Sequence, residues 1–416
     1  MNEKVSLFVI NANYPFGKTE TFLENEIKFI SPYFDKIYLF PLNYPSKDFT
    51  LREVPENVIY HSVLLDKLHY KRIIKFIFRF SPITEYLKDL LMLVQSGEGR
   101  YFNKLKGWAI SLLVDRAFYK SNQYNYIKNN IKQNDILYFY WGGARSRFAK
   151  NFNHPKTFIR VHGRELDFPR NSNYIVLFKN TFTVESTFLA ISNKVKKQIL
   201  SYFPKNIVKV NRLGTFDMGI GPLDSSKKNI RIVTCSNVIP LKRVHLVVEA
   251  LRKINNIEVE WIHFGDGILF SQLNLLAKSL NQNITYIFKG RVTNDVVLDF
   301  YKNNQVDLFI NVSTAEGVPV SIMEAFSFGI PCFATNVGAT SELLNNNNGV
   351  LVDKDFSINE LILCIKNCNT EQFRLKRIEA RNTWDKYCNA DKNYLQLINL
   401  LYNMKIAEKP LSKNTN

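Results

Sequence analysis

The sequence predicts an α/β protein built as two domains in tandem. Two observations lead there. Short apolar runs recur along the whole chain with helical segments between them, and runs that are apolar on both faces belong to parallel sheets covered on both sides. The length, 416 residues, exceeds what one ordinary core organises and suits two domains of roughly 200 residues each. A composition of 46% hydrophobic and 22% charged residues is that of a globular chain rather than a disordered one.

In the first half, strands are expected at VSLFVI (5–10), KIYLF (36–40), DILYFYW (135–141), TFIRV (157–161), TFLAIS (187–192) and IVKVNRL (207–213). In the second half they are expected at IRIVTCS (230–236), VEWIHFG (259–265), ITYIFKG (284–290) and VDLFINVS (306–313). The last two are followed by helical patterns, NDVVLDFYKNN (294–304) and VPVSIMEAFSF (318–328). Between the halves, TFDMGIGPLDSSKKN (215–229) is rich in Gly, Pro, Asp and Ser and marks the domain boundary. Past residue 370 the pattern turns helical, with Trp384, Tyr387, Tyr394, Leu397 and Leu400 on apolar faces. The expected division is a first domain over 1–215, a second over 216–385, a helix over 386–405 and a disordered tail over 406–416.

Residues 66–130 interrupt the alternation with a helical, basic and aromatic insertion. In its first part, residues 67–80, Lys67, Lys71, Arg72, Lys75 and Arg79 alternate with Ile73, Ile74, Phe76, Ile77, Phe78 and Phe80. Such a segment can lie on an anionic membrane surface, or it can be a domain helix with a solvated lysine face. The net charge of +18 calls for an anionic partner: nucleic acid, acidic lipid or a phosphorylated substrate. No recognised nucleic-acid motif surrounds the basic segment, so no nucleic-acid partner is expected, although charge alone keeps that alternative open.

The first residues read as a strand rather than a secretory signal, and no stretch reaches the about 18 uninterrupted apolar residues of a membrane span. Five cysteines, Cys235, Cys332, Cys364, Cys368 and Cys388, lack CxxC spacing and suit a reducing cytosol. The histidines form no HxxxH pair, so no metal site is expected.

Chemistry concentrates in TAEGVPVSIMEAFSFGIPCF (314–333), where Glu316 and Glu324 stand with seven residues between them. Glu316 is expected in the loop at the carboxyl end of a parallel strand, where open α/β sheets bind ligands. Glu324 is expected on the following helix, with Pro319 in its first turn. A carboxylate accepts two hydroxyl hydrogen bonds at once, so this pair can hold two separate diols. The backbone around Gly317, Val318, Pro319 and Val320 gathers N–H groups at a helix N-terminus, which can meet a phosphate between the two diols. A nucleotide sugar has that order of groups. The plainer alternative is a pair of surface glutamates.

The stretch resembles the C-terminal signature of the family 4 glycosyltransferases, retaining enzymes of the GT-B fold. The match lies in Glu316, Gly317, Pro319, Glu324, Ala325, Gly329 and Pro331, and NVGATSELL (336–344) and NGVLVDKD (348–355) continue it. CSNVIPLKRVHLVVEAL (235–251) is similar to the segment that opens the nucleotide domain, and HFGDG (263–267) to the family's Gly-Asp-Gly turn. FKGRV (288–292) resembles the segment beside the base, YPFGKTETFLENEI (14–27) a motif with Glu-Thr-Phe, and RVHGRELDF (160–168) the segment whose histidine faces the donor sugar.

The resemblance implies two Rossmann-like domains facing across a cleft, with the last helices crossing back to the first. It implies sugar transfer, with retention, from a nucleotide diphosphate donor to a glycan or polyprenyl-diphosphate-linked acceptor. It implies no cofactor or metal beyond the donor substrate, and a cytoplasmic location at the inner face of the membrane in surface-polysaccharide assembly. His162, Glu316 and Lys242 take the catalytic roles. Glu324 grips the ribose, Gly317, Val318, Pro319 and Val320 present backbone to the phosphates, and Arg291 and Val292 lie beside the base. Where the family carries an arginine five residues before its lysine, this chain has Asn237, and Arg243 is a candidate to supply that charge. His162 also has a structural alternative, Glu20 and Thr21 suit a helix start as well as ligand contact, and Asp353 and Asp355 read as a turn. A nucleotide-sugar epimerase of the same architecture is the alternative enzyme.

Overall fold

The protein is described by a computed structural model that covers residues 5–43, 50–64, 83–95, 101–167, 174–183, 185–224 and 229–402. It divides into two units, Met1–Asn211 together with Tyr394–Asn416, and Arg212–Asn393. Each is built on one all-parallel sheet. The basic segment 67–80 lies outside the described residues.

In the first unit the strands are β1 (Leu7–Asn11), β2 (Ile37–Pro41), β3 (Val58–Tyr60), β4 (Ile136–Phe139), β5 (Thr157–Val161), β6 (Thr187–Ala190) and β7 (Ile207–Val210). Their spatial order is β3-β2-β1-β4-β5-β6-β7. β1, β4 and β5 are buried along their whole length, which leaves β1 and β4 almost continuously apolar, while β5 carries the buried, ion-paired Arg160. β1 pairs with β2 on one side and β4 on the other, so Leu7 stands between Ile37 and Ile136.

The second unit contains β8 (Ile230–Cys235), β9 (Val259–Phe264), β10 (Ile284–Phe288), β11 (Leu308–Asn311), β12 (Cys332–Thr335) and β13 (Gly349–Val352). Their order, β10-β9-β8-β11-β12-β13, is doubly wound. Ile232, Trp261, Leu308 and Phe333 from the strands pack with Val247, Leu251, Leu361 and Ile365 from the helices in one core. Burying a large apolar side chain of this kind stabilises the fold by about 1.5–3 kcal/mol.

Two order reversals matter for function. Winding changes direction between β1 and β4 in the first sheet and between β8 and β11 in the second, which opens a crevice at the carboxyl ends of those strands.

The ten expected strands are all present, and the sequence expectations omitted β3, β12 and β13. β3 has three residues at a sheet edge, and β12 and β13 follow directly on the turn at residues 329–331 and the asparagine run 345–348. Helices occupy Ile83–Gln95, Tyr101–Tyr119 and Asn122–Asn130 in the insertion region. The final helix, Ala390–Tyr402, belongs from Tyr394 onward to the first unit, where Tyr394 meets Phe29 with ring centroids 5.4 Å apart. Beneath it, Arg160 pairs with Glu26 at 3.0 Å, both fully buried, and donates to Asn211. In the second unit, Trp384 donates to the Thr215 hydroxyl at 2.7 Å and ties the entering chain to the helix Glu371–Tyr387.

Candidate active site

β8 ends at Cys235 and leads into a short 3-10 turn, Pro240–Lys242. β11 ends at Asn311, and its following loop is hydrogen-bonded to that turn through Thr314 N–H donating to the Leu241 carbonyl at 2.8 Å. The two loops bring together side chains that lie 74 residues apart in sequence: Lys242 Nζ donates to Glu316 Oε1 at 2.6 Å. Asn311 Nδ2 donates to the same oxygen at 3.1 Å, and Asn311 Oδ1 accepts from the Ser313 hydroxyl at 2.6 Å. Glu316 thus stands in the switch-point crevice of the second sheet, held from two sides. The backbone permits this because Gly338, at φ 59°, passes so close that a Cβ there would lie 1.9 Å from the Glu316 carbonyl oxygen.

Pro319 stands just before the helix Val320–Ser327, whose first intrahelical donors include Ile322. The N–H groups of Val320 and Ser321, in the first turn, have no intrahelical acceptor and remain available to an anion, with those of Gly317 and Val318 just upstream. Glu324, on this helix, is buried, and burial pushes its carboxyl up to about 7 against the pull of a hydrogen bond with Asn294. Asn294 opens the helix after β10, directly beyond Arg291 and Val292. Arg291 is exposed at the carboxyl end of β10. The turn Gly265–Gly267 caps β9 beneath the β8 loop, and a Cβ on Gly265 would lie 1.8 Å from the Ser236 carbonyl oxygen. Along the sheet the groups therefore run from Glu316 after β11, through Lys242 after β8, to Arg291 after β10.

Arg243 is engaged elsewhere. Its guanidinium donates to the carbonyls of Val312 and Lys354, both at 2.8 Å, so in this state it braces the loop after β11. Asn237 is exposed. Asp353 and Asp355 lie in an exposed turn closed by Phe356 N–H donating to the Asp353 carbonyl at 3.2 Å.

His162 belongs to the first unit, in the turn after β5. Its backbone N–H donates to Glu165 at 3.1 Å, and its Nδ1 lies 3.4 Å from Glu165 Oε1. Burial raises the Glu165 carboxyl, yet hydrogen bonding and charge from His162, with backbone N–H groups, hold it below the usual range. An ionised carboxylate only accepts, so Nδ1 is the ring nitrogen that donates toward Glu165. Nε2 is buried and has no partner among the described residues. Trp141 stacks beside the ring, with centroids 4.2 Å apart.

Glu20 occupies a backbone nest at the end of β1. Its carboxylate accepts from the N–H groups of Ala12, Asn13 and Tyr14, from Asn11 Nδ2 at 3.1 Å and from Trp141 Nε1 at 2.6 Å. A carboxylate so fully occupied organises its own loop. Sequence reasoning singled out neither Asn311, Asn294, Glu165 nor Trp141. The available signal was weak: a polar residue at the last position of an apolar run, and an acid three residues after His162.

Residues 221–387 match the family described as glycosyl transferases group 1. The matched segment lies within the second unit. This match is to glycosyl transferases, which removes the epimerase alternative. Protein CapJ of Staphylococcus aureus is 29% identical over 158 residues, covering 38% of this chain and 36% of CapJ. The O-antigen biosynthesis glycosyltransferase WbnH of Escherichia coli is 30% identical over 112 residues, covering 27% of this chain and 30% of WbnH. The matched region thus spans about a third of the length of these relatives. Among solved structures, Anabaena Alr3699/HepE in complex with UDP-glucose superposes with a TM-score of 0.60 at 15% identity, covering 96% of this chain and all of that one. The fold is that of the GT-B glycosyltransferases, and the segment that matches the group 1 family contains Lys242, Glu316 and Glu324.

Proposed function

We propose that the protein is a retaining glycosyltransferase. It moves a sugar from a nucleoside diphosphate sugar to a glycan or polyprenyl-diphosphate-linked acceptor in the assembly of a surface polysaccharide. The observation that carries this is the Lys242–Glu316 contact in the switch-point crevice of the segment that matches the group 1 family. The UDP-glucose complex of HepE and the O-antigen role in the name of WbnH support the donor class and the pathway class.

The donor lies along the ends of β11, β8, β9 and β10. Glu316 accepts from sugar hydroxyls, and Lys242 turns from Glu316 to the leaving diphosphate. The N–H groups from Gly317 to Val320, Pro319 excepted, share that charge, prearranged and without a metal ion. Glu324 accepts from the ribose hydroxyls, and Arg291 and Val292 flank the base. The bond from the anomeric carbon to the diphosphate breaks as the acceptor oxygen bonds to that carbon on the same face. The acceptor's proton passes to the leaving phosphate oxygen. His162 Nε2 hydrogen-bonds a donor-sugar hydroxyl. The enzyme works in the cytoplasm at the inner face of the membrane, with residues 67–80 against anionic lipid; no helix among the described residues is long and apolar enough to cross it.

The test is transfer of labelled sugar from UDP-glucose, UDP-galactose and UDP-N-acetylglucosamine to a polyprenyl-diphosphate oligosaccharide fraction, with the product's anomeric configuration read by NMR. Retained configuration, lost in Glu316→Ala, is expected. An inverted product would overturn retention, and labelled product undiminished in Glu316→Ala would remove Glu316 from the mechanism. Failure to bind anionic vesicles at low salt would remove the membrane contact.

A further inference from the structure

The first unit has a cavity of about 960 Å³ at the amino ends of β5, β6 and β7, on the opposite edge of the sheet from its switch-point crevice. Its walls come from the segments that lead into those strands: His154 before β5, Thr183 and Glu185 before β6, and Lys205 and Asn206 before β7. Lys150, on the short helix Ala149–Phe152, lines it as well. Sites for small molecules occupy roughly 300–1,000 Å³, so this volume has room for several linked rings.

The lining is built around a fixed imidazole. His154 is 8% exposed, and its Nε2 donates to the Asp135 carbonyl at 2.7 Å. Its own carbonyl accepts from the Thr157 hydroxyl at 2.6 Å, which fixes the backbone too. Nδ1 has no partner among the described residues, and a polar atom on a side chain so deeply set calls for one. Asn206 Nδ2 donates to the Phe182 carbonyl at 2.9 Å, which leaves the amide oxygen unused. The side chains of Thr183, Glu185, Lys150 and Lys205 make no hydrogen bond or ion pair among the described residues. Donors and acceptors are thus interspersed, with two ammonium groups and one carboxylate among them. A chain of sugars presents the same mixture, because every hydroxyl both donates and accepts. A single-stranded nucleic acid is matched instead by aromatic faces beside the cations, whereas hydroxyl and amide groups stand beside these.

We propose that this cavity is a second saccharide site, which holds a segment of the glycan away from the place where sugar is transferred. The proposal rests on the glycosyltransferase function given above and adds to it a grip on the glycan that takes no part in the chemistry.

The test is calorimetric titration of the full-length protein with a neutral tetrasaccharide, maltotetraose, and a carboxylated one, a hyaluronan tetrasaccharide. At least one should bind, and binding should be lost in Thr183→Trp, which fills the cavity from an exposed position. Lys242→Ala should leave the titration unchanged, which separates this cavity from the diphosphate site. Tighter binding of the hyaluronan probe, with the advantage lost when Lys150→Gln and Lys205→Gln are combined, assigns an acidic chain. Binding of maltotetraose that those two changes leave intact assigns a neutral one. No binding of either tetrasaccharide, undiminished binding in Thr183→Trp, or loss in Lys242→Ala would each overturn the proposal. Transfer from a nucleoside diphosphate sugar to a short acceptor that persists in Thr183→Trp would meanwhile leave the glycosyltransferase function standing, so the two ideas fail separately.

Discussion

Lys242 Nζ and Glu316 Oε1 lie 2.6 Å apart, and the two side chains are 21% and 13% exposed. Such a partly exposed pair contributes little to folding, under about 1 kcal/mol. Lys242→Ala should therefore melt in urea within about 1 kcal/mol of the wild type. Turnover should fall at least about a hundredfold, because the charge lost is the one that meets the leaving diphosphate. A large stability loss with proportionate turnover would make the pair a structural brace instead.

Glu324 links pH to both stability and binding. Burial raises its folded pKa from 4.5 to about 7. The folded state therefore holds this proton more tightly than the unfolded state does. The stabilisation is complete below pH 4.5 and is lost as pH rises to about 7. Glu324→Gln should thus gain stability over the wild type at pH 8 and show no such gain at pH 4. Nucleotide affinity should move the other way, rising through pH 7 in the wild type as the carboxylate forms, and staying weak and flat in Glu324→Gln. Parallel affinity profiles would remove Glu324 from the ribose site.

The Glu165 carboxylate, 3.4 Å from His162 Nδ1, orients the ring and so sets which nitrogen faces outward. Glu165→Gln should lower kcat by about tenfold or more, with little change in the donor KM. His162→Ala and the double variant should then be nearly equal in activity, since both act through one ring. Additive losses would show that Glu165 acts independently.

Glu20 serves five N–H donors at the end of β1. Glu20→Ala should cost at least about 2 kcal/mol in denaturant unfolding, because several donors lose their acceptor together. Full stability with abolished turnover would indicate instead that the carboxylate meets substrate.

Much of the fold could be read from the sequence because parallel strands buried on both faces leave nearly continuous apolar runs, as in β1 and β4. β3 escaped because three residues at a sheet edge carry no usable period, and β12 and β13 because turn residues directly precede them. In the candidate site, Glu316 and Glu324 were placed in a loop and on a helix by local pattern, and they occupy those elements. Their partners were not legible. Which residue meets Glu316 depends on β8 lying next to β11, a matter of strand order rather than of local spacing. Arg243 illustrates the same limit. It follows Lys242 directly, yet a left-handed backbone at φ 48° goes with a side chain that bonds the Val312 carbonyl instead of joining Lys242 at Glu316.

The most direct test is a melting-temperature series against UDP, GDP, ADP, CDP and dTDP and their sugars, using the wild type, Lys242→Ala and Glu324→Ala. A ligand at about 100 times its Kd stabilises the native state by roughly 2.7 kcal/mol. A donor site built on Lys242, Glu316 and Glu324 predicts a clear rise with one nucleotide, diminished in both variants. No rise with any nucleotide, together with a rise on adding RNA or DNA, would contradict it.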